Sequence, residues 1–222
     1  MSSGDASVAR RGVPVAAAVP VADGQGTIGR MTGQKDAPLV HVETVEEWRD
    51  WLVAHHAEAT GVWLVSWRRS TGRPAVPYEA AVEEALTVGW IDATQRSLDD
   101  ERTAQWFCPR KPGSGWARTN KERLVRLEAE GRMLPAGTAV VEAAKADGSW
   151  TLLDDVEALI VPPDLAAAFD AHPGARETWD AYPRSVKRLH LVWLVDAKRP
   201  ATRAARVEEV AVKAAAGERA RS

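Results

Sequence analysis

Between residues 39 and 217 apolar positions recur in two rhythms that alternate along the chain. Val45, Trp48 and Leu52 follow Thr44 at helical spacing, and Glu47 stands three residues after Thr44 in a capping-box pattern. Together they predict a helix ending near His56. From Gly61 to Arg69 the period drops to two. Val62 and Leu64 take one face, and Trp63, Val65 and Trp67 the other. Both faces are apolar, as in a central strand. Gly72 and Pro74 mark a turn, and Pro77 suits the first position of a helix over Tyr78–Val88. Residues 90–98 and 103–110 read as a β-hairpin turning at Asp99-Asp100-Glu101. Thr119 and Glu122 repeat the capping box ahead of Leu124 and Leu127, and Gly131 stops that helix. Further helices are expected at about 135–146, 164–171, 174–181, 184–197 and 201–215, with Pro173, Pro183 and Pro200 separating the last four.

These elements predict an α+β fold: a small, mainly antiparallel sheet with helices, followed by a helical C-terminal region. The expected organisation is a disordered tail over 1–37, an α+β region with the hairpin over 38–133, a helical region over 134–217, and a short tail at 218–222. Residues 1–37 carry neither rhythm and read as mobile chain. Arg10-Arg11-Gly12 and the Ala/Val run after it faintly resemble an export leader, but Pro14 and Pro20 interrupt the run. Met31 is a second possible start.

Composition narrows the picture. The chain has 222 residues, 45% of them apolar and 27% charged, values ordinary for a soluble globular protein. The net charge of −2 gives no global reason to expect nucleic acid. Residues 138–180 are acid-rich and 184–222 base-rich, so opposite blocks can pair within the fold. The basic junction at Lys198, Arg199, Arg203 and Arg206 reads first as a solvated face, with a protein- or nucleic-acid-binding module as the alternative. No apolar run is long enough to span a membrane. Cys108 is the only cysteine, which excludes an intrachain disulfide and fits a reducing cytoplasm. No feature of the chain specifies an oligomeric state.

Cofactor and metal chemistry find no support. Gly113-Ser114-Gly115 is not followed by Gly-Lys-Ser/Thr, and no Gly-x-Gly-x-x-Gly opens a helix. His55 and His56 are adjacent, so on a helix they diverge by about 100°, and the other histidines are isolated. Cys108 reads as a buried, inert thiol rather than a nucleophile.

The segment from Gly89 to Trp116 carries the candidate chemistry. Ten of the fourteen aromatic residues are Trp, and several fall here beside guanidiniums and a carboxylate. Trp90, Asp92, Arg96, Trp106 and Arg110, with Trp116 and Asn120 close behind, are the candidate ligand-binding residues. Arginine offers planar donors to an anion and Trp a stacking face. Asp92 is also the candidate general base of a cofactor-free enzyme. The competing reading is an internal Asp–Arg network that sets sheet against helices. Pairing symmetric about residue 100 puts Trp90 opposite Arg110, Asp92 opposite Cys108 and Thr94 opposite Trp106, all on one face with Arg96. A single bulge would break that register.

Six segments, taken together, carry a family resemblance. They are Trp48-Arg49-Asp50-Trp51-Leu52, Ala85-Leu86-Thr87-Val88-Gly89-Trp90-Ile91-Asp92, Phe107-Cys108-Pro109-Arg110-Lys111, Ser114-Gly115-Trp116, Gly131-Arg132-Met133, and Ala197 to Arg203. Over about residues 40–217 their order and spacing resemble the YdeI/OmpD-associated proteins, the bacteriocin-protection family. The resemblance implies a small cytoplasmic bacterial protein tied to stress resistance or to protection against antimicrobial peptides. It brings no reaction and no cofactor. The function expected is therefore a protection-associated protein that binds a small-molecule or peptide ligand in a pocket lined by Trp, Arg and Asp.

Overall fold

Thr44 caps the first helix as its sequence predicts: its hydroxyl accepts the Glu47 N–H while the Glu47 carboxylate accepts the Thr44 N–H. The computed structural model describes residue 34 and residues 37–221; the rest of the expected 1–37 tail lies outside the described residues. The elements run β1 (Leu39–His41), α1 (Val45–His55), β2 (Val62–Trp67), α2 (Tyr78–Thr87), β3 (Trp90–Ser97) and β4 (Arg102–Pro109). They continue with α3 (Arg118–Ala129), α4 (Pro135–Ala146), α5 (Asp154–Glu157), α6 (Pro163–Ala171), α7 (Ala175–Ala181), α8 (Arg184–Val195) and α9 (Pro200–Ala215).

The strands form one sheet in the order β1-β2-β4-β3. β1 pairs with β2 in parallel, and the other two pairings are antiparallel. The fold is thus α+β with a mainly antiparallel sheet and a helical C-terminal region. The apolar character of both faces of β2 follows from its place inside the sheet. Val62 and Leu64 enter the core under the helices, while Trp63 and Val65 join Ala104 in a smaller cluster on the other face.

Two boundaries differ from the sequence reading. Pro77 is the residue before α2 rather than its first helical position. The second capping box does not form: α3 starts at Arg118 with Ala117 before it, so Thr119 already lies inside the helix. The charged first turn of α3 accommodates helix geometry one turn before its apolar stripe begins.

The apolar interior falls into two main clusters. The first joins α1, α2, α3, α4 and the sheet through Trp48, Leu86, Trp90, Phe107, Trp116 and Leu127. Trp48 is fully buried, and its indole N–H still finds the Ala81 carbonyl at 3.1 Å. Gly137 lets α4 approach the end of α2, because a Cβ there would meet the Thr87 carbonyl oxygen at 2.2 Å. The second cluster gathers α5 to α9 around Leu165, Phe169, Trp179, Leu194 and Val210. Full burial of each such aliphatic or Phe side chain is worth about 1.5–3 kcal/mol. Residues 218–221 turn back on this cluster, with Ala220 against it and the Arg221 N–H donating to His190 Nε2 at 3.3 Å. None of the described helices is long and apolar enough to cross a membrane.

Candidate functional site

A bulge in β3 divides the predicted constellation. Near the turn the strands pair as expected, Gln95 with Gln105 and Arg96 with Ala104. Past the irregularity between Asp92 and Gln95 the register shifts by one, so Asp92 faces Phe107, Ile91 faces Cys108 and Trp90 faces Pro109. The expectation that Trp90, Asp92, Thr94, Arg96 and Trp106 share one face is therefore corrected. A strand changes face with every residue, so one extra residue moves Arg96 to the opposite side from Asp92.

The two faces have different surroundings. Trp90 is 2% exposed, set edge-on to Trp51 in the first cluster, with its indole N–H on the His56 carbonyl at 3.3 Å. It is a core residue and offers no face to solvent. On the opposite side the Arg96 guanidinium lies 4.1 Å from the Trp63 ring centre, and Trp106 packs 5.2 Å from Trp63. Trp106 also fills the space over Gly61, where a Cβ would stand 2.2 Å from the indole.

Asp92 meets no arginine directly. Its Oδ2 accepts the Tyr78 hydroxyl at 2.7 Å. Burial, reinforced by this hydrogen bond, pushes the Tyr78 phenol up to about 12. Tyr78 borders a hollow of ≈ 100 Å³ between the sheet and the start of α2, where Gln95, Thr103 and Gln105 sit above Leu64 and Phe107. Asn120 is half-buried on α3, its side-chain oxygen accepting from Arg123 at 2.6 Å. Burial pushes the half-buried Cys108 thiol up, which opposes thiolate chemistry there.

Arg110 and Trp116 are the two predicted residues that do meet. The guanidinium lies 3.7 Å from the Trp116 ring centre, while Trp116 itself is 1% exposed. Nη2 donates to the Gly115 carbonyl at 2.5 Å, and the buried Nε has no hydrogen-bond partner. No carboxylate of the described residues forms an ion pair with it. Burial accordingly pulls the Arg110 guanidinium down to about 10, against a weaker opposing pull from Asp92. Arg110 and Trp116 form one wall of a hollow of ≈ 70 Å³, closed by Val140 and Ala143 of α4 and by Asp147 and Ser149 beyond it. That is small beside the several hundred Å³ of a drug-sized site. Asp147 accepts the Ser149 N–H at 2.8 Å. The Ser149 hydroxyl lies near enough to hold the Asp147 carboxyl below the usual range, yet this buried oxygen reaches hydrogen-bond geometry with no group.

Sequence reasoning missed Asp147 and Ser149, which follow α4 and lie far along the chain from the hairpin. It also missed Glu84, a side chain 1% exposed that receives Arg49 at 2.6 Å and Arg132 at 2.5 Å. Both arginines stand in segments that carry the family resemblance, and their function there is to hold a buried charge. Among the described residues no group of three or more His, Cys, Asp or Glu is placed to hold a metal ion.

Comparison with known proteins divides the chain along its two main clusters. Residues 40–140 match a domain of unknown function (DUF8412). Residues 158–217 match the family described as Bacteriocin-protection, YdeI or OmpD-Associated. No curated protein and no solved structure matches the chain. The hollow at Arg110 is built largely from the first region, whereas the helices that follow supply the family relationship. Over α6 to α9, the chain is similar to the bacteriocin-protection, YdeI or OmpD-associated family.

Proposed function

We propose that the protein acts in bacteriocin protection by binding a small or peptidic ligand at the Arg110–Trp116 hollow, in the cytoplasm. One observation carries this reading. Arg110 is largely withdrawn from water, stacked on Trp116, and without a carboxylate partner. A desolvated cation left uncompensated is unfavourable, and a ligand that compensates it gains what the fold lacks. Of the predicted site residues, Arg110 is the contact group, Trp116 is the buried platform under its guanidinium, and Asp92 acts only through its field.

The test is the tryptophan fluorescence of the full chain, titrated with a bacteriocin panel and a metabolite panel. A saturable change that disappears in Arg110→Gln is expected. Equal affinity in that variant would remove the hollow as the site.

Two other readings have less support. A general-base role for Asp92 is opposed by its bond to Tyr78 and by its place outside the lining of both hollows. A nucleic-acid surface on the C-terminal helices is opposed by where its cations go. Arg203 pairs with Asp164 at 2.6 Å, Arg188 with Glu157 at 2.9 Å, and Arg206 donates to the Trp193 carbonyl.

A further inference from the structure

Resting on the reading just given, we infer that the group bound in the Arg110–Trp116 hollow is a monocarboxylate carrying a short apolar substituent. The shared chemistry covers a small free acid and the C-terminal residue of a peptide.

Three features of the hollow select that chemistry. The first is the cation. Arg110 spends Nη2 on the Gly115 carbonyl, and its Nε is covered, which leaves Nη1 without a partner among the described residues. Nη1 offers its donors in the guanidinium plane to a single acceptor oxygen, which a carboxylate supplies. Lys111 adds a second positive charge at the rim.

The second feature is the carboxylate already present. Asp147 lines the same hollow, fixed by the Ser149 N–H. It sets the net charge of the lining at one positive unit once Arg110, Lys111 and Asp147 are counted. A single negative charge balances that lining. A doubly charged phosphate would overcompensate it.

The third feature is the remaining wall. Val140 and Ala143 present methyl groups, and Trp116 presents its ring beneath the guanidinium. The hollow of ≈ 70 Å³ has room for a head group and a small apolar appendage. The buried Ser149 hydroxyl, which reaches hydrogen-bond geometry with no group and lies close to Asp147, is a neutral donor on the same wall.

The experiment titrates the full chain with propionate, N-acetylalanine, their neutral amides, phosphate and sulfate at constant ionic strength, reading tryptophan fluorescence and calorimetric heat. The inference expects saturable binding of propionate or N-acetylalanine. The matching amide should bind at least about tenfold more weakly, as loss of a charge-assisted hydrogen bond requires. Tighter binding of N-acetylalanine than of propionate identifies the peptide terminus as the source, and the reverse order identifies a free acid. Arg110→Gln should abolish the binding. Ala143→Leu, at an exposed helical position that tolerates leucine, should weaken it by filling the hollow while leaving Arg110 intact. Thermal melting of both variants verifies their folding. Amides binding as well as acids, or phosphate or sulfate binding more tightly than both acids, would overturn the carboxylate inference. If that binding is still lost in Arg110→Gln, the hollow survives as the ligand site. No binding of any probe overturns the carboxylate inference and leaves the hollow to the panel titration. Binding unaffected by both substitutions overturns the inference and the site together.

Discussion

Arg132 and Glu84, 48 residues apart, meet at 2.5 Å where the end of α3 passes over α2. Glu84 is buried, and Arg49 grips its other oxygen from α1 at 2.8 Å. Burial alone would raise the Glu84 carboxyl, but the two arginines outweigh it and hold the group below its ordinary range. Helices α1 and α2 and the turn after α3 are thus tied through one carboxylate. Glu84→Gln keeps the shape and removes the charge, and should cost about 2–3 kcal/mol in a denaturant titration. The folded-state value is depressed, so the wild type keeps this stabilisation above 4.5 and loses it as pH falls below. The variant should lose that acid dependence.

Trp90→Ala should behave as a core truncation. The side chain is 2% exposed and packs in the first cluster, so its removal should cost about 3–5 kcal/mol. Thermal melting measures this. A Trp90 variant that kept full stability would show that the cluster had collapsed around the gap.

Gly61→Ala should be destabilising by about 2–4 kcal/mol, from backbone strain and overpacking together. Its φ of 152° disfavours any side chain, and a Cβ would stand 2.2 Å from Trp106. Adding Trp106→Leu should recover the packing part of the loss and leave the backbone part, a split that a double-mutant cycle reads directly.

His190 makes the second cluster sensitive to acid. The residue is fully buried, with Nδ1 at 2.8 Å from the Val186 carbonyl and Nε2 accepting the Arg221 N–H. Nδ1 must therefore carry the proton, and Nε2 must stay bare. Burial lowers the imidazole from its ordinary value of 6.5, and Arg219 and Arg221 lower it further against the Val186 bond. A depressed value in the folded state means that the unfolded chain binds the proton first. Stability is complete above 6.5 and declines as pH falls below it. Urea midpoints measured on either side of that value should show the decline, and His190→Gln should flatten it.

What the sequence revealed depended on range. The capping box of α1 is written in four consecutive residues, and both partners act locally. β2 declared its central position because both of its faces are apolar over Val62 to Val65. The hairpin was legible up to its bulge. Nothing in Asp92-Ala93-Thr94-Gln95 announces an unpaired residue, so a period of two carried Arg96 onto the wrong face. Glu84 lies between ordinary helical neighbours, and its arginines arrive from 35 and 48 residues away. The hollow joins the hairpin's end to the turn after α4 by the same kind of long-range meeting. Arg110 and Trp116 were recognisable because only five residues separate them.

Trp150 packs against the first apolar cluster and Leu153 against the second, so only two residues separate the interiors. The family matches respect that seam, one ending at 140 and the other beginning at 158. Each side of the seam carries its own apolar interior and its own match. A joint at Thr151-Leu152 would pass the C-terminal helices to a new neighbour with their own apolar cluster, and would leave the Arg110 hollow with the first.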